Sequence, residues 1–144
     1  MDDLYQSLFK AQTSLFHLFQ KTWAFHWNVV GQDFQQLHTL FGEQYNTMFE
    51  EIDRLTEHMR YLRMKPFNSL AKVVEISEIA SVDGQPEAKS MITRLVADNK
   101  KIVDLLTDVI EKAEASKQYT TSNIAQDLIE THGKFIWMLR SFLT

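Results

Sequence analysis

Apolar residues recur along the chain at intervals of three and four, in four long runs. In the first, Leu4, Leu8, Ala11, Leu15, Leu18, Phe19 and Thr22 fall on one face, which is the spacing of an amphipathic helix. Asp2 and Asp3 suit its positive N-terminal end. The pattern reaches about Val29 and stops at Gly31, a residue free to take the positive φ that ends a helix. The second run follows Asp33, a good N-cap, and keeps its alternation for about eight turns through Phe34, Leu37, Phe41, Tyr45, Met48, Ile52, Leu55, Met59 and Leu62.

Pro66 and the Asn68-Ser69 pair then break the pattern, and Ser69 is placed to cap a short helix over SLAKVVEISEIA before the Asp-Gly turn at Ser81–Gln85. Pro86 suits the first position of a third long helix, whose stripe runs from Ala88, Met91, Ile92, Leu95 and Val96 through Ile102, Val103, Leu106, Val109, Ile110 and Ala113 to near Ser116. Thr121 or Ser122 is the expected cap of the fourth, with Ile124, Leu128, Ile129, His132, Phe135, Ile136, Leu139 and Phe142 inward. Two short links and one long one predict an all-α, four-helix bundle, one domain over residues 1–144, with a small helix in the second-to-third crossover.

Composition narrows the chemistry. The chain has no cysteine, so disulfides, thiolate metal sites and cysteine nucleophiles are excluded. Net charge is −4 and the fifteen basic residues are scattered, which argues against strong nucleic-acid binding. No apolar run approaches the roughly 20 residues of a membrane span, and the acidic start is unlike a signal peptide. The expectation is a soluble, unprocessed, cytoplasmic protein. No P-loop, dinucleotide fingerprint, His-Glu-x-x-His or Glu-x-x-His is present.

The residues that remain are His26, His38, Asp53 and Glu57. Two imidazoles and two carboxylates make a metal-ligand set, but His38 and Asp53 are fifteen residues apart on one predicted helix. At about 1.5 Å per residue that is roughly 22 Å along the axis. Either the four are unrelated, or an antiparallel second chain brings the histidines of one subunit to the carboxylates of another. Singly, each histidine is more simply a packing residue, and Asp53 and Glu57 an exposed pair beside Arg54 and Arg60. Trp23, Trp27, Phe25 and Phe34 read as core, and His17, His58 and His132 as structural or exposed.

The run His26-Trp27-Asn28-Val29-x-Gly31-x-x-Phe34-x-x-Leu37-His38, followed by Asp53-x-x-x-Glu57, resembles the signature of the Dps family of small ferritin-like proteins. The likeness continues through KPFNSLAKVVEISEI and KFIWMLRSFL. The resemblance implies a dodecameric shell in which two histidines of one subunit and two carboxylates of its two-fold mate bind Fe(II). Hydrogen peroxide or dioxygen would oxidise the iron, and ferric mineral would collect inside. Trp27 becomes a possible electron donor.

This sequence departs from the family pattern twice. Gly42 stands where members usually carry an Asp one turn after the second histidine, which implies a weaker second iron position. Asp2 and Asp3 stand where a Lys-rich arm often binds DNA, which implies weak or absent DNA binding. A passive container or DNA-associated shell with impaired oxidation is the alternative, and a plain helical bundle with structural histidines is the third reading.

Overall fold

A computed structural model describes residues 1–144. The long helices are α1 (Asp2–Asn28), α2 (Phe34–Tyr61), α4 (Ala88–Ala115) and α5 (Tyr119–Arg140), with α3 (Leu70–Ile76) in the crossover and a 3₁₀ turn at Ser141–Leu143. The bundle expected from the periodicity is present, with no strand. Cross-helix hydrogen bonds give its directions. Gln12 meets Thr56, Ser7 meets Asp108, Glu51 meets His132 and His58 meets Thr121, so α1 runs antiparallel to α2 and α4, and α2 antiparallel to α5. The helices α2 and α4 are therefore parallel, and only a long crossover connects such a pair.

Burial follows the predicted stripes. Leu4, Leu8, Leu15, Leu18, Leu37, Phe41, Met48, Leu55, Met59, Leu95, Leu106, Val109 and Leu139 are almost fully enclosed. At roughly 1.5–3 kcal/mol per fully buried large apolar side chain, this continuous core is the main source of stability. No helix is long and apolar enough to cross a membrane.

The helix ends differ from the expected ones in ways local sequence does not announce. Leu62–Met64 closes α2 as a Schellman motif, with Arg63 at φ 65° and the Met64 amide donating to the Met59 carbonyl. Lys117 closes α4 in the same way, at φ 59° with Gln118 donating to Ala113. Neither motif uses glycine. The crossover helix is shorter than predicted, ending at Ile76 rather than Ala80, because the chain after it is bound to α1 instead. There the Glu78 amide donates to Ser14, Lys21 donates to the Ala80 carbonyl, and His17 lies between the Ser77 and Ser81 hydroxyls. Pro86 precedes the α4 cap, Glu87, and so lies outside the helix. Helix α5 starts at Tyr119, placing Thr121 and Ser122 in its first turn, where they bond His58 and Glu114 instead of capping.

Candidate metal centre

His26 ends α1 and His38 opens α2, and the tight turn at Gly31, with φ 114°, folds one against the other. Nδ1 of His26 lies 2.6 Å from the His38 carbonyl, and Nδ1 of His38 lies 2.8 Å from the His26 carbonyl. A carbonyl only accepts, so each Nδ1 carries a proton, and in the neutral ring each Nε2 keeps its lone pair. The rings stack at 3.8 Å and 15°. Phe34 stacks on His38 at 5.1 Å and Tyr45 meets His26 edge-on at 5.2 Å, so both imidazoles are fixed in tautomer and orientation. A second hydrogen bond that fixes the non-ligating nitrogen is the usual support of a metal-bound histidine.

Asp53 and Glu57 lie one turn apart on the exposed face of α2. Their neighbouring cations are engaged elsewhere: Arg54 pairs with Asp127 at 3.1 Å, and Arg60 donates to the Met64 carbonyl. The surface ion pairs that a structural reading of these carboxylates needs are absent. A hydrogen bond with Asp53, reinforced by its negative charge, raises the pKa of Glu57 above the usual carboxylate value. A cation is the complement to such a pair. No three His, Asp or Glu side chains converge within the chain. The two histidines come together, the two carboxylates come together, and the two pairs stay apart on α2.

The aromatic residues of this face are not core. Phe25 is buried, but Trp23, Trp27 and Phe34 are 37%, 58% and 39% exposed, and Phe49 is exposed as well. They cannot turn inward because the opposite faces of α1 and α2 already fill the bundle. Trp27 does not touch the histidine pair directly. It packs on Trp23 at 4.8 Å, Trp23 stacks on Tyr45 at 5.4 Å, and Tyr45 meets His26. Beside Asp53, Phe16, Phe19, Phe49 and Phe67 wall a recess of about 260 Å³.

Gly42 is buried under the His26 ring. A Cβ there would stand 3.0 Å from His26 Cε1 and 3.1 Å from Nδ1, a tight contact that asks the ring to give by a few tenths of an ångström. A second polar cluster lies inside the bundle, where Glu51, Asn99 and His132 are all buried. His132 reads inward in the sequence, but its partners do not stand out. The available signal is that Glu51 and Asn99 fall between Met48 and Leu55 and between Leu95 and Ile102, on faces otherwise apolar.

A bundle of four long helices with one crossover and a small helix inside it is the ferritin-like architecture, and the sequence pattern of the ferritin-like domain matches residues 5–144. The chain is 31% identical over 126 residues to the DNA protection during starvation protein 2 of Bacillus anthracis, spanning 88% of this chain and 86% of that protein. It is 32% identical over 128 residues to a low temperature-induced protein of Nostoc, covering 88% of this chain and 72% of that one. The crystal structure of Dps from Thermosynechococcus elongatus superposes with a TM-score of 0.96 at 26% identity, over 99% of this chain and 91% of that one. Dps of Vibrio cholerae O1, described as a member of a broad superfamily of ferritin-like diiron-carboxylate proteins, gives 0.94 at 25% identity, over 99% and 90%. The chain belongs to the Dps family.

Proposed function

We propose that the protein takes up Fe(II), oxidises it at sites shared between two subunits, and holds the ferric product inside a closed shell of twelve copies in the cytoplasm. One observation carries this reading: two imidazoles, locked by reciprocal bonds to each other's carbonyl, present free Nε2 lone pairs, while a carboxylate pair without a cation stands about 22 Å away on the same helix. A two-fold mate running antiparallel closes that gap twice, once at each end. His26, His38, Asp53 and Glu57 are then the ligands and Fe(II) is the substrate. Imidazole nitrogen and carboxylate oxygen both suit iron, and carboxylates offset the extra charge of Fe(III).

With hydrogen peroxide as oxidant, two Fe(II) each give up one electron. The O–O bond takes the pair, and with two protons it becomes two waters. Dioxygen is the alternative oxidant. The aromatic series from His26 through Tyr45 and Trp23 to Trp27 supports Trp27 as an electron donor to the site. The relatives named for DNA protection and the diiron-carboxylate superfamily support the general role in iron storage and protection. Gly42 favours a second reading, a container whose oxidation centre is weakened.

The test is stopped-flow oxidation of Fe(II) after peroxide addition, with particle mass from light scattering. A shell-sized particle with a fast phase that a His26→Ala, His38→Ala variant loses is the expected result. A variant that keeps both its mass and the wild-type fast phase would remove the ligand assignment.

A further inference from the structure

The geometry points to a binding site for a small phosphorylated ring compound, of which a nucleoside monophosphate is the simplest kind, in a groove between the start of α1 and the segment that leaves α2. The groove has a volume of about 720 Å³, within the roughly 300–1,000 Å³ of small-molecule sites. Charge complementarity sets the sign of the ligand. Arg60, Lys65 and Lys72 line the groove and no carboxylate does, in a chain whose net charge is −4. Lys72 pairs with Glu75 at 2.8 Å, whereas Lys65 has no ion pair within the chain. Asp2, in the adjoining recess, pairs with neither Lys65 nor Arg63. The Arg60 guanidinium is held by one bond, from Nη1 to the Met64 carbonyl at 3.2 Å, which positions it and leaves further N–H donors to offer. Planar and forked, it matches phosphate oxygens in pairs, and the ammonium groups add charge.

The walls set the rest of the ligand. Tyr5 and Phe9 come from α1, with ring centroids 5.8 Å apart, and Phe67 comes from the segment after α2. These rings are already fastened. The Tyr5 hydroxyl donates to the Lys65 carbonyl at 2.9 Å, the Phe67 amide donates to Gln12 Oε1 at 3.4 Å, and the Phe67 ring meets Phe16 edge-on at 5.1 Å. Walls ordered beforehand lose little freedom when a ligand enters. A bare phosphate leaves the aromatic surface unused, whereas a flat ring stacks on it. Gln6 and Asn68 also line the groove, and each brings an amide with donor and acceptor side by side, the pattern that the edge of a nucleobase presents. Three cations gathered in one groove suit a single phosphate group, and they differ from the extended row of cations that neutralises a DNA backbone.

Calorimetric titration of AMP into the full chain, metal-free and in its native assembly, tests this, with inorganic phosphate and adenosine as the two halves of the ligand. The expected result is saturable binding of one AMP per subunit, tighter than that of either half. Arg60→Gln and Lys65→Ala, each checked for helicity and particle mass, are expected to weaken AMP by about 10–100-fold, the worth of a hydrogen bond to a charged group. Phe9→Leu is expected to weaken AMP and leave phosphate unchanged. No saturable AMP binding at millimolar concentration, the outcome if a second copy of the chain covers the groove, would overturn the inference. AMP affinity unchanged in both cation variants would do the same, because the nucleotide would then sit elsewhere. Phosphate that binds as tightly as AMP would overturn the ligand class, since the aromatic walls would have no part in it.

Discussion

His132 of α5 and Glu51 of α2 meet in the bundle core with 2.7 Å between Nε2 and Oε1. On its other side, Nδ1 of His132 lies 2.7 Å from Asn99 Oδ1. The Asn99 amide nitrogen donates to the Leu95 carbonyl, which leaves Oδ1 as an acceptor and makes His132 donate to it. A second proton lies between Nε2 and Glu51. The three side chains join α2, α4 and α5 at one level, and Glu51 Oε2 finds no protein partner.

Removing one partner of such a pair leaves the other buried without compensation. His132→Leu is expected to cost about 3–5 kcal/mol, whereas the triple variant Glu51→Leu, Asn99→Leu, His132→Leu loses less, because it leaves none of the three buried partners unpaired. Urea unfolding of the two variants side by side checks this. A triple variant no more stable than the single one would show that the network is not what the core depends on.

Stability is expected to fall on mild acidification because of His17 and His58. Burial, followed by the charge of Lys21, lowers the pKa of His17 below its ordinary 6.5, with Asp98 opposing. Burial and then Arg54 lower that of His58. The unfolded chain takes up these protons near pH 6.5 and the folded protein only at lower pH. Through that window the unfolded state binds more protons, so stability declines as pH drops. Glu57, whose pKa is raised above 4.5, acts with the opposite sign further down. Thermal midpoints measured from pH 7.5 downward should fall once below 6.5, and a His17→Gln, His58→Gln variant should flatten the profile. A wild-type profile flat from 7.5 through that window would contradict the assignment.

DNA retention is expected to be absent at physiological salt. The net charge is −4, and Asp2 and Asp3 occupy the first turn of α1. Non-specific affinity for DNA comes from cations that neutralise phosphates, and it weakens steeply with salt. A mobility-shift titration in low and physiological salt should show little shift in the first and none in the second. A shift that persists at the higher salt would point to a cationic surface formed only on assembly.

Much of the candidate site was legible because its elements are local. The spacing of three and four along each run depends on the helix repeat alone, and the His26–His38 interval spans one short turn. The impossibility of His38 and Asp53 meeting in one chain follows from helix rise, and the structure keeps the two pairs apart. Trp23, Trp27 and Phe34 read as core in the sequence but are exposed, since composition records that a residue is apolar but not which helix face has a partner left to bury it.

The sequence by itself determined the four helices, the crossover and the pairing of His26 with His38 and of Asp53 with Glu57, because helix periodicity and short turns are properties of neighbouring residues. Only the tertiary structure decided that the His26 ring packs on Gly42, that Glu51 and Asn99 meet His132, and that Arg63 and Lys117 end helices in a left-handed conformation without glycine. Each of these depends on which helix lies against which. The His26 ring crosses to α2 from another helix and packs closely on Gly42, a contact that the order of residues along α2 does not contain.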